Sequence, residues 1–328
     1  MYARLVGILV LGLIVLPALG STSSQAPTVR VVVGFDREDV VGELLAIPGV
    51  SLVKMLAEIR AVVLYVPENA LDTIKGKSGV RYVERDGIAR ALGLSSYPDV
   101  LWNVHMINAT DVWDTYYSSY GWRALGYGVV VAVLDTGVDY THPELRGKVY
   151  WCANTVGTRT YTGFNLRNCM DRNGHGTHVA GIIASTINSV GNAGVAPNVT
   201  IYAVKVLSDS GSGFYSDIAE GIILAVKGPD GSAGTGDDAR ILSMSLGGSS
   251  DSQVLRDAVK WAYDNNAVLV AAAGNEGDGD PSTDNVAYPA RYEWVIAVAA
   301  VDRDYNTPTW SSDGPEVDVA APGVNVYS

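Results

Sequence analysis

Val129-Val-Val-Ala-Val-Leu134 is a continuous apolar run, and it leads directly into Asp135-Thr-Gly. An uninterrupted run of this kind is typical of a strand that is buried on both faces, as in a parallel sheet. Open α/β sheets place ligands and catalytic groups at the carboxyl ends of such strands, which is where Asp135 falls. The stretch therefore predicts a parallel sheet with a carboxylate at the carboxyl end of one of its strands.

Similar apolar runs alternate with helical patterns along the rest of the chain. The further predicted strands are 200–206, 241–245, 268–273 and 294–299, and the predicted helices are 175–186, 216–226 and 252–265. Alternating strands and helices are typical of a doubly wound α/β sandwich. We therefore expect residues 93–328 to form an α/β domain with a doubly wound, mainly parallel sheet.

The chain has a different pattern before this domain. Strands are predicted at 28–35, 50–55, 60–66 and 80–84, with helices at 36–46 and between Pro67 and Gly79. The order β-α-β-β-α-β is that of the ferredoxin-like split motif. We therefore expect a small α+β domain within residues 21–92.

The first twenty residues have the features of a secretory signal peptide. Arg4 supplies positive charge, 5–16 is apolar, and Ala18 and Gly20 offer small residues at cleavage offsets. The apolar run is shorter than the about 20 residues that a membrane span needs. We predict a signal peptide at 1–20 and a secreted protein with no membrane anchor after its removal.

Charge and cysteine content narrow the possible partners. The formal net charge of −12 argues against a nucleic-acid partner, since phosphate binding needs clustered Lys and Arg. A solvated acidic surface or cation binding fits this charge better. The two cysteines are Cys152 and Cys169, and in an exported protein a disulfide between them is expected. Two free buried thiols are the alternative, because spacing alone does not determine geometry.

A second string, His175-Gly-Thr-His178-Val-Ala-Gly, follows about forty residues after Asp135. A serine hydrolase needs an imidazole base beside its nucleophile and a buried carboxylate that orients the imidazole. Asp135 and His175 supply the carboxylate and the imidazole. Retropepsin-like aspartic sites also use Asp-Thr-Gly, but this chain has no second copy. The His-Glu-x-x-His spacing of zinc sites is absent, so His105, His142 and His178 are interpreted as structural.

At these residues the chain resembles the subtilisin-like (S8) serine endopeptidases, and the resemblance covers most of 28–328. Three further strings support it: Leu242-Ser-Met-Ser-Leu-Gly-Gly248, Ala271-Ala-Ala-Gly-Asn-Glu-Gly277 and Val319-Ala-Ala-Pro-Gly323. The resemblance implies polypeptide substrates and a monomer. It also implies that 21–92 is a propeptide, which assists folding and acts as an intramolecular inhibitor until it is cut off. A permanent N-terminal domain is the alternative.

The resemblance also implies where processing and substrate binding occur. The tail 86–95 is expected to be an exposed junction, cut near Ala91–Ser95. Asp135 would orient His175, His175 would act as base and acid, and Asn275 would stabilise the oxyanion. The substrate-binding residues implied by the resemblance are Gly211, Gly213, Tyr215, Ser245, Leu246, Gly247, Ala272 and Gly274.

The family resemblance further implies a structural calcium ion, which prefers oxygen ligands. The ligands carried over are Glu144, Thr186, Asn188, Val190 and Asn192. A plain surface loop is the alternative for 186–192. The acidic insertion 228–238 is a weaker candidate for a second ion, with a solvated loop as the competing interpretation.

The Gly-Thr-Ser string that would carry the nucleophile is absent from the 328 residues. Family spacing would place it roughly 15 residues after Ser328. That distance is what the resemblance implies, whereas the need for a serine beside the imidazole follows from the triad in general. We therefore expect a secreted serine endopeptidase zymogen whose serine lies beyond this sequence, so that the 328 residues alone do not cleave. The alternative is a catalytically dead protease-fold protein that binds peptides or inhibits. An esterase of the α/β-hydrolase type would need the order Ser…Asp…His, which this sequence contradicts.

Overall fold

The computed structural model describes residues 27–91, 102–120, 125–188 and 191–328, without the side chains of 89–91 and 115–120. We refer to 27–86 as the N-terminal domain and to 125–328 as the large domain. The predicted signal peptide lies outside the described residues. No helix in the described ranges is long and apolar enough to cross a membrane.

Fifteen strands are present in the described part of the chain. In chain order they are β1 (Thr28–Phe35), β2 (Ser51–Leu56), β3 (Ala61–Pro67), β4 (Val80–Arg85), β5 (Ile88–Ala91), β6 (Val130–Asp135), β7 (Val149–Asn154), β8 (Tyr161–Gly163), β9 (Thr200–Lys205), β10 (Ser212–Phe214), β11 (Ile241–Met244), β12 (Leu246–Gly247), β13 (Val268–Ala272), β14 (Val295–Val301) and β15 (Val319–Pro322).

The same residues contain seven α-helices and three short 3₁₀ turns. The helices are α1 (Asp39–Leu45), α2 (Leu71–Lys75), α3 (Trp102–Met106), α4 (Ala109–Tyr120), α5 (His175–Ala184), α6 (Tyr215–Lys227) and α7 (Gln253–Asp264). The 3₁₀ turns are Ala57–Ile59, Glu68–Ala70 and Leu166–Cys169.

The N-terminal domain is an antiparallel sheet in the order β2-β3-β1-β4. The predicted β-α-β-β-α-β order is found along its chain. Alternate residues of β1 face opposite sides, as the period of a strand requires. Val31 and Val33 pack with α1 and α2, whereas Val32 belongs to the core of the large domain. The sheet face opposite α1 and α2 is therefore buried against the large domain.

The large domain contains an eight-stranded sheet in the order β15-β14-β13-β11-β6-β9-β7-β8. The neighbouring pairs are parallel except for the antiparallel pair β7 and β8. One sheet face packs with α5, and the other packs with α6 and α7. The predicted α/β fold class, with a doubly wound and mainly parallel sheet, is confirmed.

The tail after β4 differs from the exposed junction that the sequence predicts. Asp86 is buried, and β5 lies between β10 and β12 in a separate antiparallel sheet. The reason is hydrogen bonding: the Ser216 backbone N–H donates to Asp86 Oδ1 over 2.9 Å, and β5 pairs with two strands. The expectation of an exposed tail was therefore wrong for Asp86 and for the strand-paired backbone of 88–91, while the Ile88 side chain is exposed. The rest of the tail lies outside the described residues.

Candidate active site

Asp135 and His175 meet at the carboxyl end of β6. His175 Nδ1 lies 2.7 Å from Asp135 Oδ1 and 2.8 Å from Oδ2. The Asp135 side chain is fully buried, and His175 is buried as well. A carboxylate in contact with Nδ1 holds the imidazole in one orientation and stabilises its charged form. The geometry brings together the two residues that the sequence pairs.

Backbone groups hold this pair in place. The Thr136 N–H donates to Asp135 Oδ1 over 2.6 Å, and the Gly176 N–H donates to Thr136 Oγ1 over 3.0 Å. A Cβ on Gly176 would lie 2.1 Å from the carbonyl oxygen of Gly137. Only glycine therefore allows the first turn of α5 to approach the end of β6 this closely.

Asp171 joins the start of α5 to the end of β6, a role that the sequence analysis missed. Its Oδ1 accepts from Thr136 Oγ1 and from the Asn173 and Gly174 N–H groups, each over 2.9 Å. Its Oδ2 accepts from the N–H and hydroxyl of Thr177 over 2.9 and 2.7 Å. An Asp just before a helical pattern is a capping signal that could have identified it.

Burial raises the pKa of Asp171, but the hydrogen bonds from Thr177, Gly174 and Asn173 lower it further. The net result is a pKa below the ordinary value of 3.8, so this carboxyl group is ionised at neutral pH. Three of its five donors are backbone N–H groups, which cannot turn away as side chains can. Asp171 therefore fixes the His175 helix relative to Asp135.

The cysteines lie next to this network. Cys152 of β7 and Cys169 form a disulfide with Cα atoms 6.1 Å apart. Both side chains are buried, and the Cys169 carbonyl accepts from the Val138 N–H over 3.0 Å. The bridge thus ties the turn before Asp171 to β7, the strand next to the edge strand β8 of the large sheet.

His175 lines a cavity of about 570 Å³. Predicted site residues from three separate strings line this cavity together with His175: Ser245, Ala272, Gly274 and Asn275. Gly274 has a φ of +131°, and Asn275 follows it, half-buried, with its N–H donating to Glu276 Oε2 over 2.9 Å. An imidazole and a side-chain amide therefore share one cavity.

His178 also lines the cavity, but its ring has a backbone partner. His178 Nε2 lies 3.2 Å from the carbonyl oxygen of Val326. Burial lowers the pKa of His178, against a raising effect of that carbonyl, and the charge of His175 lowers it further. The structural interpretation of His178 stays a prediction.

The other predicted substrate residues lie in or beside the groove between β10 and β12, which β5 occupies. Gly213 pairs with Ala89 in β5, and Leu246 pairs with Ala91 on the other side. A Cβ on Gly213 would lie 2.2 Å from the Val206 carbonyl oxygen, so this edge strand needs glycine. Tyr215 is buried at the start of α6, where its N–H donates to the Gly87 carbonyl over 2.7 Å.

Two more predicted substrate residues lie beside these strands. Gly211 turns the chain into β10 with a φ of +79°, and its N–H donates to the Ser208 carbonyl over 2.9 Å. Gly247 is the last residue of β12 and pairs with Arg90. The groove is thus an antiparallel sheet in which an extended segment of this same chain is the central strand.

Comparison with known proteins matches residues 126–328 to the model of the subtilase family of S8 peptidases. The chain belongs to the subtilase family. It is 46% identical over 203 residues to subtilisin DY of Bacillus licheniformis, which covers 62% of this chain and 67% of that protein. It is 36% identical over 292 residues to subtilisin E of Bacillus subtilis strain 168, which covers 89% of this chain and 68% of that protein.

An intracellular serine protease of Paenibacillus polymyxa is 41% identical over 228 residues, or 69% of this chain and 63% of that protein. The chain thus spans about two thirds of the length of the relatives it matches. It is a subtilisin-like serine peptidase by family.

The predicted calcium loop of this subtilase lies away from the cavity. Glu144 is buried, and both of its carboxylate oxygens lie 3.1 Å from Asn188 Nδ2. Thr186 Oγ1 donates to the Glu144 carbonyl over 3.0 Å, while Asn192 is buried with an Nδ2 that lacks a partner among the described residues. Val190 lies outside the described residues. Among the described residues no cluster of three or more His, Cys, Asp or Glu could hold a metal.

Proposed function

We propose that this protein is a secreted serine endopeptidase made as a zymogen, with Asp135 and His175 as two members of its catalytic triad. The observation that carries the proposal is the contact of His175 Nδ1 with both oxygens of the buried Asp135 carboxylate. A buried carboxylate against one ring nitrogen leaves the other nitrogen to exchange a proton with a nucleophile.

In the proposed reaction His175 takes the proton of a serine hydroxyl and later gives it to the leaving amine. Asp135 holds the ring and stabilises its positive charge. Asn275 donates its side-chain amide to the oxyanion that forms at the attacked carbonyl. Its position on the same cavity as His175 supports this role. The nucleophile in this proposal is a serine that follows residue 328.

The polypeptide substrate would bind as a strand between β10 and β12. The pairing of β5 with both strands supports this, because an extended peptide added to two strand edges is a common mode of peptide recognition. The same pairing supports the proposal that 21–92 is an inhibitory propeptide. Cleavage near Ala91–Ser95 would then release the groove.

The loop 186–192 is proposed to hold a structural calcium ion. A buried Glu144 carboxylate and the Asn188 amide fit such a site, since rotation of the amide would present an oxygen. The Glu144 and Asn188 side chains and backbone oxygens of Thr186, Val190 and Asn192 would be the ligands. The ion would stabilise the loop and neutralise the buried carboxylate.

An active-site serine probe tests the proposed function. We expect a fluorophosphonate to label the product of the whole reading frame at one serine, and the label to disappear in His175→Ala. His105→Ala removes an exposed histidine and serves as the matched control. A folded full-length protein that resists labelling would contradict the proposal and favour the peptide-binding or inhibitory module. Labelling of the 328 residues alone would contradict the position proposed for the serine.

A further inference from the structure

Five charged side chains lie inside the contact between the N-terminal domain and α6. Arg30, Lys54 and Asp86 come from the N-terminal domain, and Asp217 and Glu220 come from α6. Their side chains are between 0% and 15% exposed. We call this group the interface ion cluster. The catalytic chemistry described above uses none of its members.

Arg30 of β1 connects three parts of the molecule. Its Nε donates to Asp86 Oδ2 over 2.7 Å. Its Nη2 donates to Ser216 Oγ over 2.8 Å and to Asp217 Oδ1 over 2.9 Å. The guanidinium also lies 4.1 Å from the centre of the Phe214 ring in β10, a cation–π distance. One side chain thus contacts the tail, α6 and the groove strand.

Lys54 of β2 uses its ammonium group in a similar way. Its Nζ donates to Asp217 Oδ1 over 2.8 Å, to Glu220 Oε2 over 2.5 Å and to the Thr155 carbonyl over 3.0 Å. These are three partners for three N–H donors. The pairing of β2 with β3 shifts register between Leu52 and Lys54, which explains how adjacent residues Val53 and Lys54 are both buried.

Apolar side chains surround the interface ion cluster. Val32 and Val63 of the N-terminal sheet belong to the same buried group as Ile218 and Ile222 of α6. In such surroundings a complete set of ion pairs adds little net stability, but removing one partner leaves a buried charge unpaired. The apolar contacts can therefore supply affinity, while the ions penalise any partner that lacks the matching charges.

Other ion pairs between the two domains are more exposed. Arg81 pairs with Asp257 over 3.0 Å, and Lys227 pairs with Glu58 over 2.6 Å. Their side chains are 24% to 39% exposed. Ion pairs in contact with water contribute little, because solvent screens them and compensates for their loss. They offer a matched comparison for the buried cluster.

We propose that the interface ion cluster determines which N-terminal domain can dock on this large domain. Asp217 and Glu220 accept a sheet with cations at the positions of Arg30 and Lys54, and reject a similar sheet without them, because both carboxylates would be buried unpaired. The proposal rests on the proposed function in one respect, that the N-terminal domain is an inhibitor cut from the chain. Its partner is a β-sheet that presents two buried cations.

The test measures how fast the two parts separate after a cut. A site for a sequence-specific protease is placed within residues 92–101, and the folded chain is cut there. Release of the N-terminal part is then followed by biolayer interferometry at neutral pH. We expect Arg30→Met and Lys54→Met to dissociate at least about 100-fold faster than the unsubstituted chain. Arg81→Met makes the same chemical change at an exposed pair and should change the rate less than about fivefold.

A double-mutant cycle separates an unpaired charge from simple misfolding. We expect Glu220→Gln to speed dissociation by itself, and Lys54→Met with Glu220→Gln to have less effect than the product of the single changes. A Lys54→Met chain that merely misfolds would gain nothing from the second change. Circular dichroism of the uncut chains provides an independent check on folding.

Two outcomes would overturn the proposal. One is that Arg30→Met, Lys54→Met and Arg81→Met give dissociation rates within about fivefold of one another. The other is that the effects in the cycle multiply. Neither readout needs catalysis or self-processing. A full-length protein that proved inactive would therefore contradict the proposed function and leave these dissociation rates unchanged.

Discussion

The Asp135–His175 pair and the interface ion cluster are both buried groups of charges, but different atoms hold them. The N–H groups of Thr136 and Gly176 hold the first within one domain. The second joins two domains, chiefly through the side chains of Arg30 and Lys54. Backbone donors are present whenever the domain is folded, whereas side chains from two domains meet only when the domains dock. The first arrangement suits a pre-organised catalytic site, and the second suits a contact that must later be lost.

The largest expected effect breaks the first site and leaves the second intact. Asp135→Asn in the full-length protein should lower kcat by about 10⁴-fold, because an amide favours the wrong imidazole tautomer. Steady-state hydrolysis of a chromogenic peptide measures this. The dissociation rate of the cut N-terminal domain should stay at the value of the unsubstituted chain. A change in both would mean that the two charge sites are coupled.

Removing the disulfide tests how much the bridge stabilises the large domain and whether the contact between the two domains depends on it. Cys152→Ser together with Cys169→Ser should lower the free energy of unfolding by about 3 kcal/mol, because the bridge closes a loop between residues 17 apart. Urea unfolding measures the loss. Dissociation of the cut N-terminal domain should not change, since the bridge lies on the Asp171 side of the sheet. A loss of less than about 1 kcal/mol would contradict the constraint that the chain-entropy model assigns to the loop.

Calcium removal tests a third buried group, the Glu144 side chain, which has the Asn188 amide as a partner but no cation within hydrogen-bond distance among the described residues. At a calcium concentration a hundredfold above the dissociation constant, the ion should add about 2.7 kcal/mol to stability. A chelator should therefore lower the melting temperature of the unsubstituted chain but not that of Glu144→Gln. Asp230→Asn, in the acidic insertion, is the matched control. If only Asp230→Asn abolished the chelator effect, the ion would bind the insertion instead.

The sequence predicted the contact between Asp135 and His175 because each residue stands in a short string beside a strand or helix signal; their catalytic role stays a prediction. The run before Asp135 identifies its strand, and the glycines around His175 show where the helix packs closely. The same reasoning predicted the N-terminal strands well, since 28–35 agrees with β1 residue for residue. Local patterns were sufficient for features that depend only on which face of a strand or helix is buried.

Other features could not be predicted from local patterns. Arg30 contacts residues 56 and 187 positions away, and no string marks such pairs. The sequence of 86–91 predicts an exposed linker, but its residues 88–91 form β5, which pairs with the distant strands β10 and β12. The inner strand β7 was missed because its alternation is irregular, with Trp151, Cys152 and Ala153 buried one after another. The assignments of Asn275, Glu144 and the substrate residues stay predictions.

A smaller effect concerns acid sensitivity of the catalytic region. Hydrogen bonds keep the pKa of Asp171 below 3.8 against the opposing effect of burial. Its contribution is therefore complete above the ordinary pKa and is lost as the pH falls through the lower folded value. Asp171→Asn should cost about 2 kcal/mol of unfolding free energy at neutral pH, and the difference from the unsubstituted chain should shrink in acid. Exposed Asp304→Asn is the control, and an equal loss at every pH would contradict the prediction.

The smallest expected effect lies at the contact between the two domains. Acid should strengthen this contact, whereas it should weaken the hydrogen bonds of Asp171. Glu84 accepts from Ser252 Oγ over 2.9 Å and from the Gln253 and Val254 N–H groups over 2.6 and 2.9 Å, at the start of α7. Burial nevertheless raises the pKa of Glu84 above its ordinary 4.5 in the docked state. Burial also raises that of Asp86, although Ser216 and Arg30 oppose it.

A carboxylate whose pKa rises on docking takes up a proton as the domains meet. The dissociation constant of the cut chain should therefore fall as the pH is lowered from neutral toward 4.5, and level off below that value. Glu84→Gln should flatten much of this dependence, and calorimetry in two buffers should detect the proton taken up. Acid would then weaken the Asp171 network while strengthening the domain contact. Docking that weakened in acid would instead mean that the contact depends on its carboxylates being charged, as the catalytic region does.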